Sequence, residues 1–375
     1  AVIVVAGVKS QVGSSPTFST SSDLNADLEM LDFNAGTRDH EYTPGTSYGF
    51  IREGRFVEPQ RESTISMVTK RTTGISHCSW ASSSRSGGGV YDEIKGVTPA
   101  HLWNPSGEGG DTDILLTFPS PGVYSFKSTC AFEDGVEFTV KDDITSFYVR
   151  RELRELTDFE RNSFLDAFIV LANVDDAHGL ARYGNHYSSL FNFEHIHLNA
   201  AGDRHLDHIH DGMGLATQHI AMSAEFELAL QSVNPALTVP YWDYTVDSVM
   251  IETVWGKADI SSIFRDSELF TPEWFGRSYT YNGTYENIVT EGRFAYQQIP
   301  MSQNFTKKSP YGYLRAPWNI NPSPYVTRYH KICDVDPYRL SLAKFSDFTD
   351  LMWPTCEVHF KYTNTDEYSN WYDWV

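Results

Sequence analysis

Cysteine is scarce in this chain, with four in 375 residues, too few for a disulfide-dense miniature scaffold or for cysteine-held iron–sulfur clusters. Positive charge is also in short supply. Twenty-nine Lys plus Arg stand against 49 Asp plus Glu, a formal net charge of −20. A surface that acidic repels phosphate backbones and anionic lipid heads, which argues against nucleic-acid and acidic-membrane partners. Long apolar runs are missing as well. The longest, Ala1 to Val8, falls far short of the roughly 20 residues a membrane-spanning helix needs. No internal repeat recurs at a fixed period. What is present is enough to fold: 41% of residues are hydrophobic and 14% aromatic, which excludes wholesale disorder. The length points to two domains.

The four cysteines fall as one pair in each half, Cys78 with Cys130 and Cys333 with Cys356. An even, sparse count fits two disulfides in an oxidising compartment and equally four free thiols in a cytosolic protein. Two Asn-x-Thr sequons, at Asn282 and Asn304, tilt the reading toward a secreted or lumenal glycoprotein. With no charged, then apolar, leader at its start, the chain reads as a mature product.

Up to about residue 148 the apolar period is two. Ile114, Leu116 and Phe118 alternate with polar neighbours, and Pro119-Ser120-Pro121-Gly122 turns the chain. Tyr124, Phe126, Cys130 and Phe132 resume the alternation, and Val136, Phe138 and Val140 form a third run after Asp134-Gly135. Alternating strands between Pro/Gly turns predict an antiparallel β-sandwich of Ig-like or cupredoxin-like size over residues 1–147. Cys130 shares the inward phase, from which it can reach Cys78 on a facing strand. Ser14–Ser22 and Ser82–Gly89 are expected as loops.

From residue 148 to 375 the period changes, predicting a mainly helical domain with long loops, and an α+β chain overall. Thr157-Asp158-Phe159-Glu160 is a capping box ahead of Phe164, Leu165, Phe168 and Leu171 at helical spacing. A second helix is expected from Tyr187, with Leu190, Phe193, Glu194 and His197 in one stripe. A third runs from about Gly214 to Ser232, with Leu215, Met222, Phe226, Ala229 and Leu230 recurring at three- and four-residue steps, and Asn234-Pro235 ends it.

Histidine is unevenly spread: eight of thirteen lie between His178 and His219, and only His330 and His359 lie beyond. Imidazole is the commonest metal ligand near neutral pH and suits borderline ions such as copper and zinc. His210 and His219 are nine residues apart, so on one continuous helix they would point in nearly opposite directions. They can share a metal only if His210 precedes the helix, and Asp211-Gly212 offers the break. His197, at the end of the second helix, can supply a third nitrogen. On spacing alone, simple solvation of His205, His208 and His210 stays open. A mononuclear zinc or copper hydrolase is a weak reading, because no general base stands out nearby.

The segment His208-Ile-His-Asp-Gly-Met-Gly-Leu-Ala-Thr-Gln-His219, followed by Phe226-Glu227-Leu-Ala-Leu-Gln and by Pro240-Tyr-Trp-Asp243, resembles the first copper-binding half of tyrosinases. Tyr148–Asp158 and Tyr313–Tyr325 resemble a tyrosinase-like subgroup with an N-terminal β-domain. The resemblance implies copper held by His197, His210 and His219, with His195 in reserve for the first position and His208 beside the site or at the surface. It implies oxidation of phenols or catechols to quinones with O2. Tyr241 and Trp242 are expected to pack the end of the ligand-bearing helix, with Asp243 accepting backbone or imidazole N–H groups. Glu227 is expected beside the site or paired with an arginine such as Arg182.

The chain departs from that family in one respect. Type-3 centres hold two coppers on three histidines each, and after His219 only His330 and His359 remain. Dioxygen reduction to peroxide takes two electrons and each cuprous ion supplies one, so a single copper cannot run the family's chemistry. The expectation is one copper site here, with the second half lost, cleaved off or supplied by a second chain or C-terminal fragment; the Asn370–Val375 end looks like an interruption. The rival expectation is a catalytically silent extracellular structural or interaction protein on the same scaffold.

Overall fold

The computed structural model describes residues 31–37, 56–69, 74–86, 90–93, 113–201, 207, 209–210, 214–255, 262–277, 287–301, 311–315, 321–328 and 355–363. The chain divides into two compact units, Gly7–Val149 and a second that holds Arg150–Val375. The first is built of strands and the second mainly of helices, so the chain is α+β.

Eight strands lie in the first unit: β1 (Leu31–Thr37), β2 (Phe56–Val57), β3 (Glu62–Thr69), β4 (Ile75–Ser86), β5 (Val90–Glu93), β6 (Asp113–Thr117), β7 (Gly122–Phe132) and β8 (Glu137–Ser146). They form a three-stranded sheet ordered β1-β3-β6 and a five-stranded sheet ordered β2-β8-β7-β4-β5. Every pairing is antiparallel except the two-residue β2, which runs parallel to β8. Period-two burial along β7 sends Tyr124, Phe126, Cys130 and Phe132 inward. Ile65, Met67, Ile114 and Leu116 from the smaller sheet join them in one apolar cluster with Ile144 of β8.

Cys78 and Cys130 sit directly opposite each other on neighbouring strands of one sheet and form a disulfide. Cys333 and both sequon asparagines, Asn282 and Asn304, lie outside the described residues, so the expected Cys333–Cys356 pairing does too; Cys356 itself is exposed. The expected Ser14–Ser22 loop also falls outside them. Ser82–Ser86, expected as loop, is strand: its backbone pairs with β7 and with β5. A ladder uses main-chain groups that serine has in full, so weak side-chain propensity did not decide. Val136, expected in a strand, sits in the β7–β8 turn, 39% exposed. Gly135 turns the chain there with φ +81°, a left-handed conformation that glycine adopts without strain.

The second unit has seven α-helices among the described residues: α1 (Asp158–Asn173), α2 (Asp176–Tyr183), α3 (Leu190–Ala201), α4 (Gly214–Val233), α5 (Tyr244–Met250), α6 (Ser262–Asp266) and α7 (Cys356–Thr363). The α1 capping box forms as spaced: Glu160 N–H donates to Thr157 Oγ1 at 3.3 Å and Thr157 N–H to Glu160 Oε2 at 2.9 Å. Helix α2 was missed by the periodicity, being short and polar with Gly179 inside it. Its signal was Asp175, whose carboxylate caps His178 N–H at 2.9 Å. Gly179 is required because the Tyr187 ring lies against it where a Cβ would be. Tyr187 Oη donates to Val174 O at 2.7 Å, pinning α2 to the end of α1.

Leu165, Leu171, Ala229 and Leu230 are fully buried, packing α1 against α4, with Phe193 of α3 alongside. Each such leucine side chain contributes about 1.5–3 kcal/mol of burial. This packing holds α3 and α4 in place, and those two helices present the histidines.

A three-histidine candidate metal centre

His197 lies in the last turns of α3, His210 in a turn ahead of α4, and His219 inside α4. Helix α4 begins at Gly214, so His210 lies off it, as the nine-residue spacing demanded. Ring centroids are 5.1 Å apart for His197–His210, 5.4 Å for His210–His219 and 5.9 Å for His197–His219. One nitrogen from each ring lies within 4.8 Å of the others. Metal–imidazole bonds of about 2.0–2.1 Å put ligand nitrogens no more than about 4 Å apart, so modest closure suffices.

Hydrogen bonds set the ring tautomers. His219 Nδ1 faces the Leu215 carbonyl at 2.8 Å, which can only accept, so Nδ1 carries the proton and Nε2 keeps its lone pair. His210 Nδ1 faces Asp207 Oδ2 at 2.7 Å in the same sense. Backing a ligand imidazole with a carbonyl or carboxylate orients the ring and raises its basicity. Asp207 also accepts the His210 and Ile209 N–H groups at 2.9 and 3.0 Å. Desolvation raises the carboxyl pKa, but these hydrogen bonds together outweigh it and leave the pKa lowered. Burial, then the neighbouring His210 and His219 rings, holds the His197 pKa below the ordinary imidazole value. Burial lowers His219 likewise, against the opposing Leu215 hydrogen bond. Both rings are therefore neutral near pH 7, the form that ligates. Asp207 and the Leu215 carbonyl were not singled out from the sequence. Their signals were there, an Asp three residues before His210 and a backbone carbonyl one helical turn before His219.

His195, the reserve for the first position, is not in the group: its ring stacks on Phe191 with centroids 5.9 Å apart. His205, His208 and His330 lie outside the described residues. His178 bonds Asp175 on an exposed helix start, and His359 of α7 meets Tyr244 Oη at 2.8 Å.

Two expectations about the surroundings need correction. Glu227 pairs with Arg150, not Arg182: Arg150 Nε and Nη2 donate to it at 2.8 and 3.1 Å, while Arg182 lies over the Tyr183 ring. Glu227 also accepts Val239 N–H at 2.9 Å. Trp242 does not pack the end of α4. It joins Leu153, Leu269 and Trp274 in a separate cluster, and its indole donates to Asp247 Oδ2 at 2.6 Å. Asp243 accepts a backbone N–H as expected, from Thr245 at 3.0 Å, and so caps α5. The separation has one cause: Tyr241 pairs through its backbone with Arg151 and Leu153 at 2.9 Å, carrying the aromatic motif away from α4.

The fold and site thus define a helical unit presenting three imidazoles, a donor set suited to copper or zinc. Residues 187–360 match the family model for the common central domain of tyrosinase, to which this part of the chain is similar. The matched span includes Tyr313–Tyr325 and leaves Tyr148–Asp158 outside it. No curated protein matches the chain. Among solved structures, the soluble domain of PmoD from Methylocystis sp. ATCC 49242 (Rockwell) is similar over 32% of this chain and 91% of its own. Identity is 11% and the TM-score 0.20, too slight to bear on fold or ligand. No helix among the described residues is long and apolar enough to cross a membrane.

Proposed function

We propose that His197, His210 and His219 hold one copper ion, making the chain one half of a tyrosinase-like type-3 centre. It oxidises phenols or catechols to quinones with O2 only when a second copper half comes from outside this chain. The observation that carries this reading is the convergence of three imidazole nitrogens within a matched tyrosinase central domain. Copper bound there supplies one-electron redox chemistry and an open coordination position. The chain's own part is to keep three rings aimed at one point, through the Leu215 carbonyl behind His219 and Asp207 behind His210. The rival reading is a silent extracellular scaffold protein, supported by the two histidines, His330 and His359, that are all that follow His219 in this sequence. In both readings the chain is secreted or lumenal, which the Cys78–Cys130 disulfide supports. The strand unit is read as a β-sandwich, supported by its two sheets sharing one apolar cluster.

Atomic absorption on the purified chain tests the site, with about one copper per chain expected and loss of copper in His219→Ala. A folded chain that takes up no added cuprous ion overturns the assignment. Catechol turnover separates the two readings, with intact-mass analysis run on the same sample to establish which chains it contains. Turnover by the isolated chain refutes the electron count, and turnover only with a second copper half present refutes the silent scaffold.

A further inference from the structure

A cavity of about 480 Å³ lies between α1, the start of α3 and the segments that follow α6, and none of the three histidines lines it. Its apolar walls include Phe168, Phe275 and Phe294, with Phe294 centred 5.8 Å from Phe168 and 6.0 Å from Phe275. Its charged groups are Glu194, Arg315 and Arg328, and Gln298 stands exposed at its edge, so the space reaches solvent.

The two arginines do different things. Arg315 Nη2 donates to the Ser323 and Tyr325 carbonyls at 2.8 and 3.1 Å, which braces the cavity wall. Arg328 Nη1 reaches the Thr327 carbonyl at 3.2 Å, and among the described residues its guanidinium has no ion pair. Desolvation lowers its pKa, as expected of a buried charge with no compensating anion. Glu194 does not supply that anion: its Oε2 is buried with no hydrogen-bond partner. Burial pushes this carboxyl up to about 7 against the pull of Arg315, so near neutrality it is protonated about half the time. The cavity therefore carries an excess of positive charge beside three phenylalanine rings.

We propose that this cavity binds a small organic carboxylate with an aromatic body, its carboxylate on the Arg328 guanidinium and its ring among Phe168, Phe275 and Phe294. A planar guanidinium takes a carboxylate through two parallel hydrogen bonds, which offsets the desolvation Arg328 already bears. The rings supply the apolar contact that pockets of this size use for most of their affinity. A dianion is disfavoured, because Glu194 adds negative charge when it ionises.

Phenylacetate is the probe, titrated calorimetrically into the full chain with and without copper. One saturable site is expected in both states. Arg328→Gln and the neutral analogue phenylacetamide each weaken binding by about tenfold or more, the worth of a charge-assisted pair. Glu194→Gln binds at least as tightly as the parent, and His219→Ala leaves binding unchanged. Absence of saturable binding, equal affinity for phenylacetamide, or preference for inorganic phosphate overturns the proposal. Loss of binding in His219→Ala also overturns it, by placing the ligand at the histidine centre. The phenylacetamide comparison needs no variant, so the proposal stays testable if Arg328→Gln fails to fold.

Discussion

Glu227 ties the middle of α4 to two other segments, and removing it tests whether that anchor stabilises the helix that carries His219. Its carboxylate accepts from Arg150 Nε and Nη2 and from Val239 N–H. The two halves of this arrangement differ in worth. The Glu227 side chain is 16% exposed and the Arg150 side chain 47%, so the ion pair is screened and contributes about 0–1 kcal/mol. The Val239 N–H is half-buried, and a charge-assisted bond to it contributes about 1.5–3 kcal/mol. Glu227→Ala is therefore expected to cost about 2–4 kcal/mol and Arg150→Ala no more than about 1 kcal/mol. Glu227→Gln, which keeps an acceptor for Val239, falls between them. Hydrogen-exchange mass spectrometry on α4 peptides reads the difference locally, avoiding the two-unit problem of a global melt. Exchange in Glu227→Ala is expected to rise roughly thirty- to eight-hundred-fold and in Arg150→Ala by no more than about fivefold. If Arg150→Ala matches Glu227→Ala, the ion pair rather than the Val239 bond carries the anchor, and the reasoning from exposure is refuted.

Thr157→Ala removes the side-chain half of the α1 capping box and is expected to destabilise the helical unit by about 1 kcal/mol, read from its denaturation midpoint. Glu194 gives a pH signature. Its folded pKa of about 7 lies above the ordinary glutamate value of 4.5, so the folded state holds the proton longer and stability falls as pH rises through that window. Glu194→Gln is expected to match the parent near pH 4 and to exceed it above pH 7 by up to about 3 kcal/mol, and equal midpoints at pH 8 would refute the burial. Replacing both Cys78 and Cys130 by Ala opens a bridge closing 52 residues, which loop entropy values at about 4 kcal/mol. The midpoint loss should appear in the strand unit and leave α4 exchange unchanged.

How much of this was legible in the sequence varies with the range of the interaction involved. The α1 capping box is local: Thr157 and Glu160 are three residues apart and satisfy each other wherever the chain goes. Inward positions on β7 follow from the period-two pleat alone. The exclusion of His210 from the α4 helix follows from 3.6 residues per turn, and so does the bond from His219 to Leu215 one turn back.

Contacts between distant segments were decided elsewhere. Arg150 lies 77 residues from Glu227, and only the tertiary packing makes it the partner over Arg182. Trp242 leaves α4 because Tyr241 pairs with Arg151 and Leu153, a choice no local pattern encodes. Ser82–Ser86 became strand because β7 and β5 were there to pair with it. The sequence by itself determined which residues could be ligands, caps and core, since those depend on chemistry and spacing within a few turns. Only the tertiary structure decided that three imidazoles meet and that Arg328 lines a ring-walled cavity. Each of those depends on where separate helices and loops come to rest, which is set by the burial of side chains far apart in the chain.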